Sequence, residues 1–86
     1  MRGETNESVE NELATLFENV ANNEKLDETI TSLSVLWKTA KQDTYNDYTD
    51  YAPYIGWYLA IAYLEDYEKD KARDVLKEMA NFIIIF

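Results

Sequence analysis

Eleven consecutive residues, YIGWYLAIAYL from Tyr54 to Leu64, carry no charge and follow directly on the chain's one proline, Pro53. Proline is tolerated in the first turn of a helix but not deeper inside it, where it removes a hydrogen bond and clashes with the preceding turn. The run therefore predicts a helix that starts around Asp50 to Pro53 and ends near Glu65. It is apolar on every side, which requires contact on more than one face. It is also too short to span a bilayer, which takes about 20 apolar residues.

Three further segments repeat apolar residues at three-and-four spacing, the signature of one helical face. Helix one carries Val9, Leu13, Leu16, Phe17 and Val20. Its start is expected at Thr5 or Asn6, which can cap free amides, with Glu7 and Glu10 complementing the dipole. The pair Asn22-Asn23 closes it, because asparagine tolerates the left-handed backbone of a helix end. Helix two carries Leu26, Ile30, Leu33, Leu36, Trp37 and Ala40. The segment EDYEKD makes a short turn after helix three, and helix four carries Ala72, Val75, Leu76, Met79 and Phe82. Two glycines and no Asn-Gly or Asp-Gly pair leave little turn chemistry for strands. The expected fold is all-α, four helices forming two antiparallel hairpins.

With 86 residues there is room for one small domain, and 47% hydrophobic content is too rich for a disordered tail. The net charge of −9 is spread evenly over both halves. Such a surface repels phosphate backbones and anionic lipid, so nucleic acid is not an expected partner. There is no cysteine and no histidine. Disulfides, thiolate metal sites and the usual proton shuttle are thereby excluded, while the compartment stays open between the cytoplasm and an oxidising compartment. MRGETNESVENE is polar throughout and unlike a secretory signal.

Sliding the chain by 46 residues superposes its apolar skeleton on itself. Leu13-Ala14 falls on Leu59-Ala60, Phe17 on Tyr63, Leu26 on Ala72, Ile30 on Leu76, Leu33 on Met79 and Leu36 on Phe82. The pattern suggests a duplicated helix–turn–helix unit. The second unit, PYIGWYLAIAYLEDYEKDKARDVLKEMA, resembles the tetratricopeptide repeat family. Leu59, Ala60, Tyr63, Ala72 and Leu76 match that family's pattern, and WYLAIAYL looks like the first helix of its bacterial members. In that packing Ala60 and Ala72 let the helices approach, and Tyr63 and Leu76 fill the space beside them. Trp57 stands one place later than the family's aromatic, where Gly56 sits, and Tyr67 replaces its turn glycine. The first unit keeps Leu13, Ala14 and Phe17 but has Leu26 where alanine is expected. The resemblance divides the chain into unit one over about 7–40, a connector over 41–52 and unit two over 53–86.

The resemblance implies a non-enzymatic scaffold whose first helices line a groove for a peptide or a partner helix. The second unit would present Tyr54, Trp57, Ile61 and Leu64, with Glu65 at the rim; the first would present Ser8, Asn11, Thr15, Glu18 and Asn19. An exposed stripe of Tyr, Trp, Ile and Leu marks a contact, either with a ligand or with the tail or a second subunit. The lysines with which some members hold a terminal carboxylate are missing from these positions. The ending NFIIIF places Phe82, Ile83 and Phe86 on helix four's face and leaves Ile84 and Ile85 for other partners. Self-association or flanking repeats are expected to cover it.

No cofactor or metal is expected. The carboxylates lie on polar faces, unlike a convergent catalytic pair. Asp43, Asp47 and Asp50 lack the alternation and the glycine of a calcium loop. Two other function classes compete with the scaffold: an acidic mimic of DNA, weakened by the scatter of the acids, and a purely structural repeat of a longer solenoid. The stretch DTYNDYTDYAPY, with tyrosines at 45, 48, 51 and 54, reads as an insertion between the units. Its period of three suits a helical extension whose rings pack on a neighbouring hairpin while their hydroxyls stay in water.

Overall fold

The computed structural model describes the backbone of residues 2–83 and the side chains of residues 7–81. Its elements run α1 (Arg2–Ala21), α2 (Leu26–Ala40), a single 3-10 turn (Thr49–Tyr51), α3 (Ala52–Glu65) and α4 (Lys69–Ile83). The fold is all-helical over these residues, and successive helices pack as hairpins, α1 with α2 and α3 with α4. Pro53 sits in the first turn of α3, where its missing N–H is harmless.

Both hairpins close in the same way. At the end of α1, Asn23 takes φ 56° and the Glu24 N–H bonds back to the Asn19 carbonyl at 2.8 Å. At the end of α3, Tyr67 takes φ 61° and the Glu68 N–H bonds to the Tyr63 carbonyl at 2.8 Å. This six-to-one closure satisfies carbonyls that the helix end leaves open. The two left-handed residues are 44 positions apart, so the turns are closer in sequence than the 46-residue self-match. The first turn is longer because Lys25 is also left-handed, at φ 46°, immediately before α2.

Helix α3 is the hub, packing against α1, α2 and α4. It buries Ala52, Ile55, Gly56, Leu59, Ala60 and Ala62, which lie on more than one of its sides. This accounts for the uniform apolarity of the run. A ring stack of Phe17 on Tyr58, centroids 4.2 Å apart and 11° from parallel, ties α1 to it. Such a pair contributes about 0.5–1.5 kcal/mol beyond the area it buries. Val9, Leu13, Val20, Leu33, Leu36, Trp37, Ala40, Ala72 and Val75 complete the core.

Several expectations shift. Helix α1 begins at Arg2, so Thr5 and Asn6 lie inside it and are not its caps. Nothing upstream forces a stop: Gly3 costs only about 1 kcal/mol, and Glu4 and Glu7 favour the N-terminal end. Ala60 and Ala72 are buried as the close-approach residues should be, but Leu76 is 38% exposed and Val75 takes the inward position. Ala14, the counterpart of Ala60 in the self-match, is exposed. The connector has one 3-10 turn in place of a helical extension. The expected contacts of Phe82, Ile83, Ile84, Ile85 and Phe86 lie outside the described side chains.

Candidate interaction surface

The stripe proposed on α3 lies where helical geometry puts it, opposite the packed positions. Tyr54 is 59% exposed, Trp57 53% and Leu64 50%. Positions 54, 57, 61 and 64 are three or four residues apart, so their side chains share one face. Ile61 on that face is half-buried and packs against the core, so it supports the stripe from below. Tyr67 follows in the turn and is 95% exposed. Its backbone N–H bonds to the Leu64 carbonyl at 3.1 Å, which holds the turn on the end of the same helix. Tyr67 was visible in sequence only as an aromatic where a glycine would suit the left-handed turn.

The polar wall expected on α1 divides. Ser8, Asn11, Thr15 and Glu18 are exposed, and the Thr15 hydroxyl donates back to the Asn11 carbonyl at 3.1 Å. Asn19 is turned away from them: its Nδ2 donates to Thr29 Oγ1 at 3.3 Å on α2. Thr29 is buried, and this bond satisfies a hydroxyl that would otherwise be costly to desolvate. Neither side chain has a spacing signal that would have revealed the pair.

The connector tyrosines behave differently from one another. Tyr48 and Tyr51 lay half-buried rings on the core, and their hydroxyls donate to carboxylates of α1. Tyr48 reaches Glu12 Oε1 at 2.8 Å and Tyr51 reaches Glu10 Oε2 at 2.9 Å. The bond to Glu12 pushes the Tyr48 hydroxyl up to about 12, and the bond to Glu10 raises Tyr51. In each case ionising the phenol would remove the donor and set an anion beside a carboxylate. Tyr45 is exposed and donates to Asp50, which raises it likewise. Asn46 organises the loop before the 3-10 turn, donating to the Thr39 carbonyl at 2.9 Å and accepting from the Tyr48 N–H at 2.9 Å.

Among the described residues no three carboxylates gather as a metal would require, and no helix is long and apolar enough to cross a membrane. No family model, curated protein or solved structure matches the chain.

Proposed function

We propose that this chain is a non-enzymatic, tetratricopeptide-like scaffold that binds a peptide or a partner helix through the apolar stripe of α3. The observation that carries the reading is the exposure of Tyr54, Trp57 and Leu64 along one face of the helix whose other faces form the hub of the fold. Large aromatic and branched side chains left in water cost solubility, and an interface rich in Tyr and Trp is where such residues contribute most. Tyr67, in the turn that follows, adds a further ring exposed to water.

Selection of binding peptides from a random display library tests it. Trp57→Ser combined with Leu64→Ser should abolish binding of the selected peptides, with helical circular dichroism unchanged, since both residues are half or more exposed. Ile61 is left intact in this test because its side chain supports the core. Selected peptides that bind the double variant as well as the parent would refute the stripe as the binding surface. Sedimentation of the parent and the double variant separates a peptide site from self-association: a dimer lost on substitution assigns the stripe to a second copy.

A further inference from the structure

Helices α2 and α4 both pack on α3 but leave a groove between them. Its volume is about 240 Å³, and Leu59 and Tyr63 of α3 line it. Ser34, Trp37, Lys38 and Lys41 line it from α2 and the residue after it, and Lys71, Asp74, Val75 and Glu78 line it from α4. At one end a bridge crosses it: Glu78 Oε1 accepts from Trp37 Nε1 at 2.8 Å and from Lys41 Nζ at 2.6 Å. The other end has a different chemistry. Ser34 Oγ and the Tyr63 hydroxyl lie 3.1 Å apart, and the Lys71 ammonium stands 5.9 Å from the Tyr63 ring centroid.

We infer that this groove binds a small monocarboxylate with an apolar body, such as an aryl-substituted propanoate. Three of the chain's eight basic residues line it with two carboxylates, Asp74 and Glu78, a net charge of +1 where the whole chain carries −9. Lys41 is neutralised by Glu78, but among the described residues neither Lys38 nor Lys71 forms an ion pair. Two hydroxyls sharing one mutual bond retain one O–H hydrogen to donate. Asp74 also lines the groove and offsets one of these two charges, so one ammonium charge and a spare O–H remain for an oxyanion, and charge-assisted bonds of this kind are the stronger class. Leu59, Val75 and the Trp37 ring supply an apolar bed. The volume is below the roughly 300–1,000 Å³ of sites for drug-sized ligands, so the acid is small. It is a free metabolite or the last residue of a peptide; both offer the same carboxylate. The site is independent of the α3 stripe, because Leu59 and Trp57 occupy opposite sides of the helix.

The indole N–H signals of Trp37 and Trp57 in the nitrogen-15 NMR spectrum provide the test. Trp37 lines the groove, and Trp57 serves as a reference on the other face. Titration with 3-phenylpropanoate should shift the Trp37 signal saturably at millimolar concentration and leave Trp57 in place. The neutral 3-phenylpropanamide and inorganic phosphate should leave both in place. Lys38→Met combined with Lys71→Met should weaken binding at least tenfold; both residues are exposed, so circular dichroism should be unchanged. Tighter binding of acetyl-glycyl-phenylalanine than of the free acid assigns the site to a chain end, and the reverse assigns it to a metabolite. A Trp37 signal that does not saturate, that responds equally to the amide or to phosphate, or that is unaffected by the lysine substitutions overturns the proposal.

Discussion

A methyl group at Gly56 would lie 2.8 Å from Trp37 Cζ3 and 2.9 Å from both Cγ and Sδ of Met79. Glycine here is a matter of space, since its backbone is ordinary helix. The Trp37 ring comes from α2 and Met79 from α4, so three helices meet over one missing side chain. The ring is held by its bond to Glu78 and cannot move aside freely. Gly56→Ala gains about 1 kcal/mol of helix propensity and meets an overpacking cost of about 1–3 kcal/mol. Urea unfolding should show a net loss of about 1 kcal/mol; a gain would mean that ring and thioether repack at no cost. Tyr67 gives the opposite sign. Its left-handed backbone costs about 1–2 kcal/mol for a residue with a Cβ, and its ring is almost wholly in water. Tyr67→Gly relieves that strain against about 0.5–1 kcal/mol of added chain entropy, so stability should rise by up to about 1 kcal/mol. If the ring serves binding, the same variant should bind the selected peptides more weakly. The missing aromatic at position 56 and the missing glycine at position 67 were both legible as departures from a pattern. Their reasons were not: the side chains that fill the space over Gly56 come from helices 19 residues upstream and 23 residues downstream.

At the scale of elements, the four helices were legible because each carries its own three-and-four periodicity, or in α3 the lack of it. The connector was not. A period of three suits a helix face, but residues 41–48 are turns and bends organised by Asn46, with only Thr49–Tyr51 adding a 3-10 turn. Asparagine side chains that bond nearby backbone compete with helix formation, and here they win. Tyr48 and Tyr51 do pack on the core, but their hydroxyls, expected in water, donate to Glu12 and Glu10 through bonds that no local pattern announces. These bonds make the connector sensitive to alkali. The Tyr48 phenol is raised from 10.0 to about 12, so its neutral form is the one the folded chain favours. Its contribution is complete below the unfolded value near 10 and is lost as pH rises through about 12. Tyrosinate absorbance should therefore show a phenol that titrates near pH 12 and is absent in Tyr48→Phe. Hydrogen exchange over residues 41–51 should accelerate across that window in the parent. A connector whose protection is unchanged up to pH 12 would mean that ring packing alone holds it.

The whole molecule is thin, 41 × 31 × 19 Å, its smallest extent a little under two helix diameters of about 10–12 Å. A two-layer slab leaves every helix with an outward side, which is why a chain with one hub can still leave the stripe of Tyr54, Trp57 and Leu64 uncovered. The order of the helices could be read from the chain, but the choice of α3 as hub and the gap between α2 and α4 could not. Both depend on Trp37, Gly56 and Met79 meeting across three helices. The thin shape also brings like charges within reach of one another. At about 0.01 M salt the screening length is about 30 Å, comparable with the molecule, so the excess of 17 acidic over 8 basic side chains acts on the whole fold. At about 1 M it falls to about 3 Å, and only groups in contact still interact. Against this, salt can weaken few ion pairs: among the described residues they are Lys41–Glu78 and the exposed Arg73–Asp70. Pairs this accessible contribute about 0–1 kcal/mol each. Repulsion relieved should exceed attraction lost, so Tm should rise between the two sodium chloride concentrations. For a domain this small each 1 kcal/mol corresponds to about 4–8 °C. Chloride is the right anion, because sulfate strengthens apolar burial on its own account. A fall in Tm would show that the Trp37–Glu78–Lys41 bridge outweighs the whole excess of charge, and Glu78→Gln, which keeps an acceptor for the indole but removes the ion pair, should then abolish the fall.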